Sequence, residues 1–86
     1  MSRLNNLPNI GAILAEKLQA VGVSDSVKLG ELGSKAAFMR IRTYDEGACL
    51  SMLYALEGAV QGVRWHSLDQ QIKDELKEYY LTMVKE

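Results

Sequence analysis

Residues 48–61 read Ala48-Cys49-Leu50-Ser51-Met52-Leu53-Tyr54-Ala55-Leu56-Glu57-Gly58-Ala59-Val60-Gln61. On a helical wheel this stretch is apolar on almost every side. Cys49, Leu53, Leu56 and Val60 form one stripe, and Met52, Ala55, Ala59 and Val63 form a second beside it. A helix with so little polar surface belongs in the middle of a fold. Its polar side chains fall on a single line, Tyr54, Glu57, Gln61 and then Arg64. Gly58 and Gly62 weaken a helix intrinsically, so they predict the close approach of another backbone. The fold class that follows is all-α, a compact bundle of about five helices around a central apolar helix at 48–61.

Working towards the N-terminus, Ser34 is placed to cap a helix whose apolar face is Ala37, Phe38 and Ile41. The stretch from Thr43 to Gly47 reads as the loop that follows it. Asp25 caps a shorter helix carrying Val27, Leu29 and Leu32, which Gly33 ends. Ile10, Ile13, Leu14, Leu18 and Val21 share one face of a first helix, preceded by the turn residues Leu7-Pro8-Asn9 and closed by Gly22. Towards the C-terminus, Trp65 is a large anchor. Ser67 and Gln70 match a capping box, and Leu68, Ile72, Leu76, Tyr79, Tyr80 and Met83 then recur at helical spacing.

The composition agrees. With 86 residues, 48% of them hydrophobic, the chain is one domain spanning 1–86 with a core of its own. Leu and Ala number 20 against 12 for Val, Ile and Thr, which favours helix over strand. Ten basic and eleven acidic residues give a net charge of −1, whereas a domain held to DNA by phosphate contacts is usually basic. Charge is uneven, however. Residues 1–42 hold six basic and three acidic side chains, and the last helix is acidic. Cys49 and His66, each the only one of its kind, supply neither a disulfide nor a metal cluster. Cys49 reads as a small buried hydrophobe in a reducing compartment. There is no signal peptide, no membrane-spanning run, no nucleotide loop and no spacing for catalysis. The expectation is a cytoplasmic protein without cofactor, metal or membrane contact, and not an enzyme.

Two tracts carry a resemblance. Leu7-Pro8-Asn9-Ile10-Gly11, followed by Leu14-Ala15, Leu18 and Gly22-Val23, resembles the second half of a helix-hairpin-helix motif. Leu53 to Ala59 and Gln61 to Trp65 follow in register, with Leu29, Leu32-Gly33 and the Leu68 to Leu76 segment. Together they are similar to the C-terminal domain of the TfoX (Sxy) competence regulators, over roughly Leu7 to Lys77. The resemblance implies an all-helical fold with a helix-hairpin-helix-like N-terminal part, and a link to the control of natural transformation. Full-length members of that family carry a further N-terminal domain, which these 86 residues do not include.

Two candidate sites result. In the first, the backbone around Asn9 and Gly11 cradles a phosphate at a helix N-terminus, as a hairpin that binds DNA would, with Lys17, Lys28, Lys35, Arg40, Arg42 and Arg3 as cations. Asn9 stands where a first glycine would, and Ala12 and Ile13 where a cation would help. The favoured reading is therefore a turn that packs Ile10 and Leu14 into the core. In the second, Tyr54, Glu57, Gln61 and Arg64 form a ridge that binds a protein partner, anchored by Trp65, with Glu57 paired to Arg64 or Arg40. Four Met, an exposed Tyr79 and Tyr80 and a long last helix further point to a homodimer.

Overall fold

The computed structural model describes residue 7 and residues 9–84, apart from the side chain of Val84. Helix α1 spans Ala12–Ala20, α2 Ser26–Leu32, α3 Ser34–Tyr44, α4 Leu50–Gln61 and α5 Gln70–Val84, with a 3-10 turn at Trp65–Ser67 between the last two. Among the described residues there is no strand.

The central position of α4 is borne out. Of its twelve residues only Ser51 and Gln61 are exposed. It packs against α2, α3, α5 and the 3-10 turn. Leu53 and Leu56 of α4 share one buried core with Leu18 from α1, Leu29 from α2, Phe38 and Ile41 from α3, and Leu68 and Leu76 from the last part of the chain. Each large side chain removed from water in this way stabilises the fold by about 1.5–3 kcal/mol.

Local chemistry sets the corners. Asp25 caps α2 by accepting the backbone N–H of Lys28 at 2.9 Å. Gly33, at φ 88°, ends α2 and is also the N-cap of α3, so the two helices share a one-residue corner. Gly62, at φ 76°, closes α4 in the left-handed conformation, and the next N–H, that of Val63, returns to the carbonyl of Gly58 at 2.9 Å.

Several expectations need correction. Ile13 is 75% exposed: α1 begins at Ala12 rather than Ile10, so Ile10 reaches the core from the turn before the helix and shares no helical face with Ile13, which is turned outward. Val27, second in α2, is also exposed. Ser34 is the first residue of α3, not its cap, and its hydroxyl is used elsewhere. Thr43 and Tyr44 belong to α3 rather than to a loop. Ser67 forms no capping box. It lies in the 3-10 turn, and the first backbone bond of α5 runs from Lys73 N–H to Asp69. Tyr79 and Tyr80 are half-buried: Tyr80 packs its ring 6.0 Å from that of Phe38, and the Tyr79 hydroxyl donates to the Lys35 carbonyl. Cys49 is exposed, because it precedes α4 instead of lying within it.

Candidate functional site

The turn between α4 and α5 is held from the far end of the chain. Asn9 sits at φ 69°, a left-handed conformation that Asn tolerates better than most residues. Its side-chain amide donates to the Val63 carbonyl at 3.0 Å and to the Ala55 carbonyl at 3.5 Å, while Oδ1 accepts the backbone N–H of Trp65 at 3.1 Å. Gly58 makes room for this clamp, since a β-carbon there would lie 2.4 Å from Asn9 Nδ2 and 2.8 Å from the Val63 oxygen. The close approach expected at Gly58 is therefore present, whereas Gly62 is required for its dihedral angle alone.

So positioned, the half-buried Trp65 ring lies nearly parallel to Tyr54, at 14° and 5.8 Å between centroids. His66 stacks on Trp65 at 4.0 Å, and Lys73 of α5 places its ammonium 5.7 Å from the indole centroid. The Tyr54 hydroxyl donates to the Lys73 carbonyl at 3.5 Å, and the Lys73 ammonium donates to the His66 carbonyl at 3.4 Å. The outcome is an ordered aromatic corner with exposed His66 and Arg64 at its rim.

The polar line of α4 divides here. Tyr54 and Trp65 come together, but Glu57 and Gln61 form a separate group. Glu57 accepts the Ser34 hydroxyl at 2.5 Å and the Gln61 amide at 2.6 Å. Neither Arg64 nor Arg40 pairs with Glu57. Arg40 donates instead to the Val21 carbonyl at 3.3 Å, and Arg64 is exposed just before the 3-10 turn. A hydrogen bond from a buried serine of α3 thus stands where a charge pair with an arginine was expected. Sequence reasoning missed Ser34, His66 and Lys73.

The cations of the first half are dispersed. Lys17 forms an ion pair with Asp45, the one ion pair among the described residues. The hydrogen bond to Asp45 raises the Lys17 pKa above its usual value, and the bond from Lys17, aided by the Gly47 N–H, lowers that of Asp45. Arg42 donates to the carbonyls of Glu46 and Ala48 and lies over the Tyr80 ring. Lys35 lies over Tyr79. Lys28 and Arg40 line a hollow beside the turn between α1 and α2. Gly11 is the exposed N-cap of α1, and Arg3 lies outside the described residues. With its side chain turned inward, Asn9 acts as a structural clamp.

Among the described residues no three His, Cys, Asp or Glu side chains are grouped to hold a metal ion, and no helix is long and apolar enough to cross a membrane. The Cys49 thiol stands 3.1 Å from the Ser51 hydroxyl. That bond first, and then the Met52 N–H, lower its pKa.

What the fold and this corner define is an all-helical domain that presents an ordered aromatic surface. The chain belongs to the TfoX C-terminal domain family, whose model matches residues 1–80. It is 34% identical over 77 residues to Protein Sxy of Escherichia coli, a match covering 90% of this chain and 37% of that protein. The chain therefore spans little more than a third of that curated relative. Among solved structures, an uncharacterised protein from Listeria monocytogenes, in a triclinic form, shares 49% identity at a TM-score of 0.95, covering 95% of this chain and 93% of the other. A protein of unknown function from the same organism, in a tetragonal form, shares 49% identity at a TM-score of 0.92, covering 94% and 99%.

Proposed function

We propose that this domain is a non-catalytic interaction module that serves the control of competence through protein contacts, with Trp65 and Tyr54 as its anchors. The link to competence is supported by membership of the TfoX C-terminal domain family and by the chain's similarity to Protein Sxy. The observation that carries the mode of action is the aromatic corner itself. Asn9, Gly58 and Lys73 hold Trp65 in one pose, so a partner that docks there meets a surface already ordered and loses little side-chain entropy. Trp, Tyr and Arg are enriched at the energetic centres of interfaces, and Arg64 stands beside this pair.

The test is complementation of a deletion in the native host, reading competence-gene expression. Trp65→Ala should abolish complementation while leaving the folded chain soluble and helical. Full complementation by Trp65→Ala would remove the reading. A second copy of the chain is also a partner that this surface suits, and light scattering at high concentration distinguishes 9.6 kDa from twice that mass.

The second reading is a nucleic-acid-binding module. It is favoured by one observation, that Lys28 and Arg40 have no acidic partner within ion-pair distance among the described residues. Binding of this kind falls steeply with salt.

A further inference from the structure

Beside the turn that joins α1 to α2 is a half-open hollow of about 240 Å³, lined by Gly22, Val23, Lys28, Glu31, Leu32 and Arg40. We propose that it binds a single phosphate group, through Lys28 from α2 and Arg40 from α3. The site shares no residue with the aromatic corner.

The argument rests on what the cations are doing. Lys17 is neutralised by Asp45, Arg42 is tied to two loop carbonyls, and Lys35 and Lys73 cover aromatic rings. Lys28 and Arg40 line one hollow, neither has an acidic partner among the described residues, and Asp25 is turned to the Lys28 backbone N–H rather than to its ammonium. Arg40 is held from behind, since one of its nitrogens donates to the Val21 carbonyl at 3.3 Å. A guanidinium has five N–H donors in a fixed fork, so most remain for a ligand. Gly22, at φ 89°, turns the chain and keeps the mouth free of a side chain: a β-carbon there would stand 3.7 Å from the same guanidinium nitrogen.

A phosphate suits this pair. It offers several acceptor oxygens and one negative charge as a backbone diester or close to two as a monoester, and planar Arg with point-charge Lys is a favourable combination for it. Glu31 also lines the hollow and opposes the anion. Its neutralisation should therefore tighten binding, which gives the site a signature that a diffuse basic surface lacks.

The phosphate belongs either to a small free ester or to a nucleic-acid backbone, and two arms separate these sources. In the first, the full chain is titrated with inorganic phosphate against chloride at matched ionic strength, following amide NMR shifts. Saturable shifts should cluster at Gly22, Val23, Lys28, Glu31 and Arg40. They should vanish in Lys28→Gln and in Arg40→Gln, and tighten about threefold in Glu31→Gln but not in Glu16→Gln. In the second arm a short DNA duplex replaces phosphate. The same shifts at lower concentration, with steep salt dependence, identify the backbone as the source; shifts with inorganic phosphate alone identify a free ester. No shifts in either arm, or shifts indifferent to both Lys28→Gln and Arg40→Gln, overturn the proposal. Lys28→Gln removes no side-chain hydrogen bond among the described residues, so it remains informative if Arg40→Gln unfolds. Because Trp65 is untouched, failure here leaves the protein-contact reading standing.

Discussion

The side-chain amide of Asn9 occupies the space where Gly58 would otherwise carry a β-carbon, 2.4 Å from that position. Two residues 49 apart in the chain thus set the pose of a third, Trp65, whose backbone N–H is bound by the same Asn9. Gly58→Ala should destabilise the domain by about 2 kcal/mol, because backbone as well as side chain must shift. Gly30→Ala, inside α2 with open space around it, should stabilise it by about 0.5–1 kcal/mol. Urea unfolding of the two variants checks both signs.

Asn9→Ala leaves the Trp65 N–H and the Val63 carbonyl without their partner, at a cost of about 1–3 kcal/mol. Asn9→Gly accommodates the positive φ more readily but loses the same bonds. It should recover only part of that loss, and a red-shifted Trp65 fluorescence should accompany both. If Asn9→Gly matched the parent, the clamp would be a matter of backbone angle alone.

The Lys17–Asp45 pair predicts a pH dependence in two directions. Asp45 has a lowered pKa, so its contribution is present above about 3.8, the value of the free group, and is lost as acid protonates it. Lys17 has a raised pKa, so its contribution is complete below about 10.5 and is lost as alkali deprotonates it. The melting-temperature gap between the parent and Asp45→Asn should be open near pH 7 and close towards pH 2. It should also narrow with salt, since the pair lies near the surface.

Cys49 should react with a thiol reagent in the folded state, without waiting for unfolding. Ser51→Ala removes the hydroxyl that stabilises the thiolate, so the pH midpoint of labelling should rise. An unchanged midpoint would show that Ser51 contributes nothing to the reactivity.

The central helix was legible because an apolar segment of twelve residues has only one way to be covered, and the Asp25 cap and the Gly33 stop were legible because their chemistry is local; Gly62, read as a point of close approach, closes α4 through its positive φ instead. Ile13 misled because it lies three residues after Ile10 and shares a face with it only if the helix starts at Ile10, and helix starts depend on the turn before them. Ser34 and Glu57 meet across 23 residues and Asn9 and Trp65 across 56, so no periodicity announces either contact. For the aromatic corner, Tyr54 and Trp65 could be picked out by type. His66 and Lys73 joined them only because a 3-10 turn brings the start of α5 back over the indole.

The most direct measurement of the central claim is site-specific photocrosslinking in the native host, with a benzophenone amino acid replacing the exposed His66. A discrete protein adduct should form, and Trp65→Ala should weaken the interaction about 30-fold or more and erase the adduct. Either a protein adduct indifferent to Trp65→Ala, or no protein adduct while DNA is crosslinked, would contradict the account.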